Sequence, residues 1–339
     1  MGRLAGVIIG GGALAAAGMV GMQAAPAGAA LSFATPSFSG TFFNHFAGNV
    51  ATATQTGAHG FALAVAGFGG FITHDFGNTA TAITNDGIAL AGAGAGGDDD
   101  DHNTATATSQ FGFAGAGAGV LGDDDFHNTA SAWAYEGFAL AIAGIGDDAS
   151  HNVADVIAQQ GFGIGIAGLS GDSHDSAFVD VLDGTGFALA AGGDHNAAFA
   201  GANGGEGIAL AGLGSHNTAI ADGSSGGAAF AAAGEGRHNT AVAGASEVAG
   251  ATALAGEGSG NTASAIAVGG ALATSVAGTG DGNGAYTYAA LPGSTATATA
   301  AASGGTALAT TVTGFGGSAD AISSNGTWST SFNGKSLDL

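Results

Sequence analysis

The chain has 339 residues, of which 68 are glycine, 26 acidic and only 3 basic, giving a formal charge of −23. Too few lysines and arginines are present to neutralise phosphates, which excludes nucleic acid as a partner and disfavours anionic membrane surfaces. Zero cysteines remove disulfides and thiolate chemistry, a 46% hydrophobic content separates the chain from ordinary disordered sequences, and glycine without a three-residue period separates it from collagen.

Residues 1–30 read as a secretory signal peptide. Arg3 supplies the positive start, an apolar run follows from Leu4 to Val20, and small residues fill Ala24–Ala30. Cleavage there predicts a secreted or cell-surface protein. No later segment offers ~18 unbroken apolar residues, so no transmembrane segment is expected in the mature chain. Residues 31–46 are irregular and read as an N-terminal cap.

Residues 47–313 are a repeat. Anchors fall at Asn49, Asn78, Asn103, Asn128, Asn152, Asp175, Asn196, Asn217, Asn239, Asn261 and Asn283, and most are 21–25 residues apart. The residue two after the anchor is alanine in every unit, from Ala51 to Ala285, and the residue four after it is alanine in eight of the eleven. Between these fixed positions the sequence varies, as in Thr106, Ser131, Asp155 and Phe178. Small residues alternating with larger ones have a period of two, which is a strand signature. A second alternating run follows in each unit, for example Phe138 to Ala143 and Ile208 to Ala211. Glycine recurring every few residues opposes helix at about 1 kcal/mol each. The pattern predicts an all-β fold, a flattened β-solenoid with two strands per turn. Its rungs would rise about 4.8 Å each, or roughly 50 Å from Asn49 to Asn283. Residues 314–339 break the pattern and read as a C-terminal cap or tail.

Stacked repeats place like residues in ladders. The buried asparagines would hydrogen-bond along the axis. His102, His127, His151, His174, His195, His216 and His238 each precede an anchor, which suggests stacked turn residues, a transition-metal site or a proton switch. Acidic clusters precede three of these pairs: Asp98, Asp99, Asp100 and Asp101; Asp123, Asp124 and Asp125; Asp147 and Asp148. Crowded carboxylates recruit cations, and hard oxygens suit calcium. Calcium is therefore a candidate cofactor, with a transition metal as the alternative and His102, His127 and His151 as further candidate ligands. The alternative is a solvated anionic edge. Thr52, Thr54, Thr56, Thr79, Thr81, Thr104, Thr106 and Thr108 resemble the flat threonine arrays of ice-binding solenoids, which implies ice binding as a third reading.

No nucleophile elbow, zinc-protease motif, phosphate loop or dinucleotide fingerprint occurs, so an enzyme is not expected. The turn from Gly97 to Asn103 partly resembles the stacked Gly/Asp turns of calcium-binding RTX repeats. Glycine-rich turns followed by Asn-x-Ala resemble the curlin repeats of bacterial amyloid fibres. The leader and the Gly/Ala-rich, lysine-poor composition are similar to secreted repeat proteins of actinobacteria. These resemblances imply a secreted β-solenoid that assembles laterally or end to end with itself, or contacts the cell envelope, as a fibre, adhesin or spacer.

Overall fold

The structure is a computed structural model. It describes residues 30–34, 39–42, 50–55, 60–68, 75–95, 100–123, 127–147, 151–169, 174–192, 195–212, 216–236, 238–247, 250–258, 260–269, 272–279, 283–290, 295–301, 308–313, 318–324, 329–332 and 336–338. Every regular element among them is a β-strand. The expected leader lies, apart from Ala30, outside the described residues. Among the described residues no helix is long and apolar enough to cross a membrane.

The alternation of small and large residues sets the register. Ala51 pairs with Ala80, and the column continues through Ala105, Ala130, Ala154, Ala177, Ala198, Ala219, Ala241 and Ala263 to Ala285. All these pairings are parallel and form one layer, here called A. The second run of each repeat stacks in the same way into layer B, where Ala62, Ala89, Ala114 and Ala139 share a column. The chain is thus a β-solenoid with two strands per turn.

In the early rungs one strand crosses both layers. Thr79–Ala95, Thr104–Asp123, Thr129–Asp147 and Val153–Ala167 bend at Gly87, Gly112, Gly137 and Gly161, whose φ values lie between 103° and 141°. From Ser176–Leu182 and Gly184–Ala191 onward the layers carry separate strands. The sequence reading treated these glycines as general turn residues. They form a column in which a Cβ on Gly137 would lie 1.9 Å from the Gly112 carbonyl oxygen, and one on Gly161 1.8 Å from that of Gly137. Only glycine lets the backbones stack there.

The drift in repeat length has a local origin. Nine residues separate Asn103 from Gly112, Asn128 from Gly137, Asn152 from Gly161 and Asp175 from Gly184. The return path shortens instead: Gly112 to Asn128 is 16 residues, Gly137 to Asn152 is 15, Gly161 to Asp175 is 14 and Gly184 to Asn196 is 12. The layers keep their register because the corner before the anchor absorbs the difference. The acidic clusters sit in its longest versions.

The invariant alanines face inward between the layers, and Ala105, Ala130, Ala154 and Ala177 are each 0% exposed. Each buried methyl contributes on the order of 0.8 kcal/mol. Where layer A carries Val156, Val179 and Val181, layer B carries Gly163, Gly165 and Gly186 opposite. A Cβ on Gly165 would lie 2.9 Å from a Val179 methyl. Volume is traded across the interior, so the layer spacing is held. The Ser275 and Thr287 hydroxyls, 2.6 Å apart, satisfy each other in the same buried space.

At the N-terminal end Ala30–Ala34 pairs antiparallel with Ser39–Phe42 and with Gly60–Phe68. At the other end the parallel stack continues past 313. Ser318–Ser324 joins Thr295–Ala301, and Ser329–Phe332 joins Leu308–Thr313. Ser336–Asp338 then turns back antiparallel on Ser329–Phe332. Ala309 takes the position of Ala285, so the repeat outlasts its asparagines.

Candidate functional site at the anchor corner

The corner between layer B and the next layer A strand gathers the repeated polar residues. Each described anchor points inward: Asn78, Asn103, Asn128, Asn152, Asp175, Asn196, Asn217, Asn239, Asn261 and Asn283 are all buried. Their carbonyls accept from the next rung, as in Thr129 N to Asn103 O at 3.0 Å and Val153 N to Asn128 O at 2.9 Å. Side chains extend the ladder in two ways. The Asn78 amide donates to Asn103 Oδ1 at 2.8 Å, and the Asn152 amide donates to Asp175 Oδ1 at 3.0 Å. Further along, the backbone N–H groups of Asn239 and Asn261 donate to the amide oxygens of Asn261 and Asn283, both at 3.2 Å. These bonds answer the buried backbone at the corner.

A glycine in each long rung makes room for the anchor. Gly94, Gly119, Gly144 and Gly168 have φ between 57° and 63°. A Cβ on Gly94 would lie 2.0 Å from the Asn103 amide nitrogen, and one on Gly168 would lie 1.8 Å from an Asp175 carboxylate oxygen. The sequence reading missed this column because the distance from glycine to anchor falls from nine residues to seven across these four rungs. A fixed-spacing alignment hides it.

The histidines form a continuous exposed stack. Ring centroids are 5.4 Å apart for His102 and His127, 5.1 Å for His127 and His151, 4.9 Å for His151 and His174, and 4.8 Å for His174 and His195. His216 and His238 complete it, and all neighbouring planes lie within 8° of parallel. His102, His127, His151 and His238 adopt positive φ, which histidine tolerates better than most residues. Stacked rings direct their in-plane lone pairs along parallel lines, so two neighbours do not converge on one ion in this arrangement. Among the described residues no group of three or more His, Asp or Glu is placed to hold a metal.

Of the candidate acids, Asp98, Asp99, Asp124, Asp125 and Asp148 lie outside the described residues. For Asp100, Asp101, Asp123 and Asp147 the backbone register is described. Asp100 pairs with Asp75, Asp101 with Phe76, and Asp123 with Asp147.

Asp175 is the one acid among the buried anchors. Burial pushes its carboxyl up to about 6, against the lowering effect of the two hydrogen bonds from Asn152. On the outer face of layer A, burial also raises Asp155 above the ordinary carboxylate range. Asp155 borders a shallow groove of about 80 Å³ with Thr106, Thr108, Ser131, Trp133 and Ile157. That is well below the ~300 Å³ of a usual small-molecule site. The threonine array is short. Thr52, Thr81 and Thr106 share a column that continues as Ser131 and Asp155, while Ile83 and Trp133 interrupt the column of Thr54 and Thr108.

No protein-family model, curated protein or solved structure matches this chain.

Proposed function

We propose that this is an exported, non-enzymatic structural protein, a rigid rod at the cell surface or in the matrix that assembles with itself as fibre, adhesin or spacer. The observation that carries the reading is the parallel, in-register stack of similar rungs around a narrow interior dominated by alanine. Such an interior leaves no room for a substrate. Each polar residue at the corner has copies above and below, so no single rung offers a distinct catalytic set. Stability in such a stack comes from neighbouring rungs, and the ends expose strand edges that template further strands. The signal-like residues 1–30 support export.

The test is to incubate the chain and follow thioflavin fluorescence together with fibre diffraction. Self-assembly predicts a reflection at about 4.7–4.8 Å along the fibre axis. A rod of about 58 Å that never lengthens would retain the spacer and remove the fibre.

A second reading, cation binding, is favoured by the in-register pairs Asp75 with Asp100 and Asp123 with Asp147. Crowded carboxylates recruit cations, and hard oxygens suit calcium. Calcium at 100 times its Kd would stabilise the fold by about 2.7 kcal/mol. A melting temperature unmoved by millimolar calcium, zinc or EDTA removes the reading.

A further inference from the structure

Among the described residues, the outward side of layer B differs from that of layer A in its charge. Its central rank runs through Leu63, Leu90, Leu140, Ile164, Phe187 and Ile208 to Phe230 in successive registered rungs, interrupted by Gly115. A flanking rank contains Phe113, Phe138 and Phe162, whose rings stack at 5.2 and 5.4 Å. A third rank carries Ile142, Ile166, Leu189 and Leu210. Gly115 opens no hole, because the Phe113 ring and the Leu90 side chain lie over it. These large side chains are partly exposed.

Charge avoids this face. Across its three outward ranks between Leu63 and Phe230 the one ionisable residue is Glu206, at the edge. The outward ranks of layer A carry Asp155, Asp180 and Asp222. In a chain of charge −23 that segregation leaves one side free to be desolvated.

We propose that layer B docks face to face on layer B of a second copy of this chain. Three observations select that occupant. Seven steps of about 4.8 Å by three ranks of side chains give a face of about 34 by 17 Å. Pairing would bury roughly 1,200 Å² over both copies, the lower bound of a specific interface. The ridges repeat at the rung spacing, so a partner fills the grooves along their whole length only if it has the same spacing, as a second copy does. An isologous contact also places the uncharged central rank against its own copy. A lipid surface would match the polarity but not the spacing.

The inference rests on the rod reading, and its test is separate from the fibre test. The chain has no cysteine, so Ile164→Cys and Ile157→Cys each introduce a single thiol, on layers B and A respectively. Aqueous thiol labelling of the full chain is followed from low to high micromolar concentration. Ile164→Cys should label at least about tenfold more slowly at the high end, while Ile157→Cys is unchanged. Ile164→Glu should be monomeric by sedimentation at a concentration where the parent is dimeric, while keeping the parent's β-strand circular dichroism spectrum. A rate at Ile164→Cys that ignores concentration overturns the proposal. So does equal slowing at both positions, or protection that requires zwitterionic vesicles. A flat labelling rate alongside a 4.7–4.8 Å reflection would leave the rod and its fibre standing and remove only this contact.

Discussion

Asp175 occupies a place where the other ten repeats carry asparagine. Its carboxyl titrates at about 6 in the folded chain against an ordinary 3.8. The native state therefore binds the proton more tightly than the unfolded state. This contribution to stability is fully present below about pH 4 and is lost as pH rises through about 6, a swing on the order of 3 kcal/mol. Asp175→Asn keeps the hydrogen-bonding shape and removes the charge. Thermal melts across that range should show the parent weakening relative to the variant as pH rises, and parallel curves would refute the assignment. The corner glycines act at the same scale through backbone geometry. Gly137→Ala combines φ 137° with a Cβ 1.9 Å from the Gly112 carbonyl oxygen, and should cost about 3 kcal/mol or more in denaturant titration. Gly77→Ala has positive φ but open space around its Cβ, and should cost about 1 kcal/mol.

Between strands, the quantity that matters is the summed volume of facing residues. Val179 meets Gly165 across the interior, and Gly186 faces Val179 and Val181. Gly165→Ala overpacks this contact and should cost about 1–3 kcal/mol. Val179→Ala removes buried methyls and should cost about 2 kcal/mol. The double variant restores an alanine-on-alanine contact like those of neighbouring rungs. Its measured loss should fall short of the sum of the single losses by at least about 0.5 kcal/mol. Strict additivity would show that the layers do not sense each other's volume.

Over the whole molecule, each rung contacts only its neighbours, so opening should propagate from the ends inward. Amide exchange should be slowest for Ser176, Ala197 and Thr218, whose N–H groups donate to the anchor carbonyls of the rung below, and faster toward Val50 and Phe332. Uniform protection along the rod would contradict nearest-neighbour stability. The charge segregation also belongs to this scale. The outward ranks of layer A mix Asp155, Asp180 and Asp222 with exposed Trp133, Ile157 and Phe178, whereas the outward ranks of layer B between Leu63 and Phe230 carry one acid, Glu206.

Much of this was legible in the residues because a strand period of two is a local property. Ala51 to Ala285 marked the inward face, and the Asn and His columns followed once equal repeats were stacked. The glycine columns were not legible, since Gly94 and Gly168 stand at different distances from their anchors and only the fold brings them together. The same holds for the trade between Val179 and Gly165, which lie in different layers of different repeats. The sequence by itself therefore determined the strands, their facing and the corner ladders. Only the tertiary structure decided which corner absorbs the changing repeat length, which residues share volume across the interior, and that the histidine rings lie parallel. Those properties depend on distances between segments that chain order alone does not bring into contact.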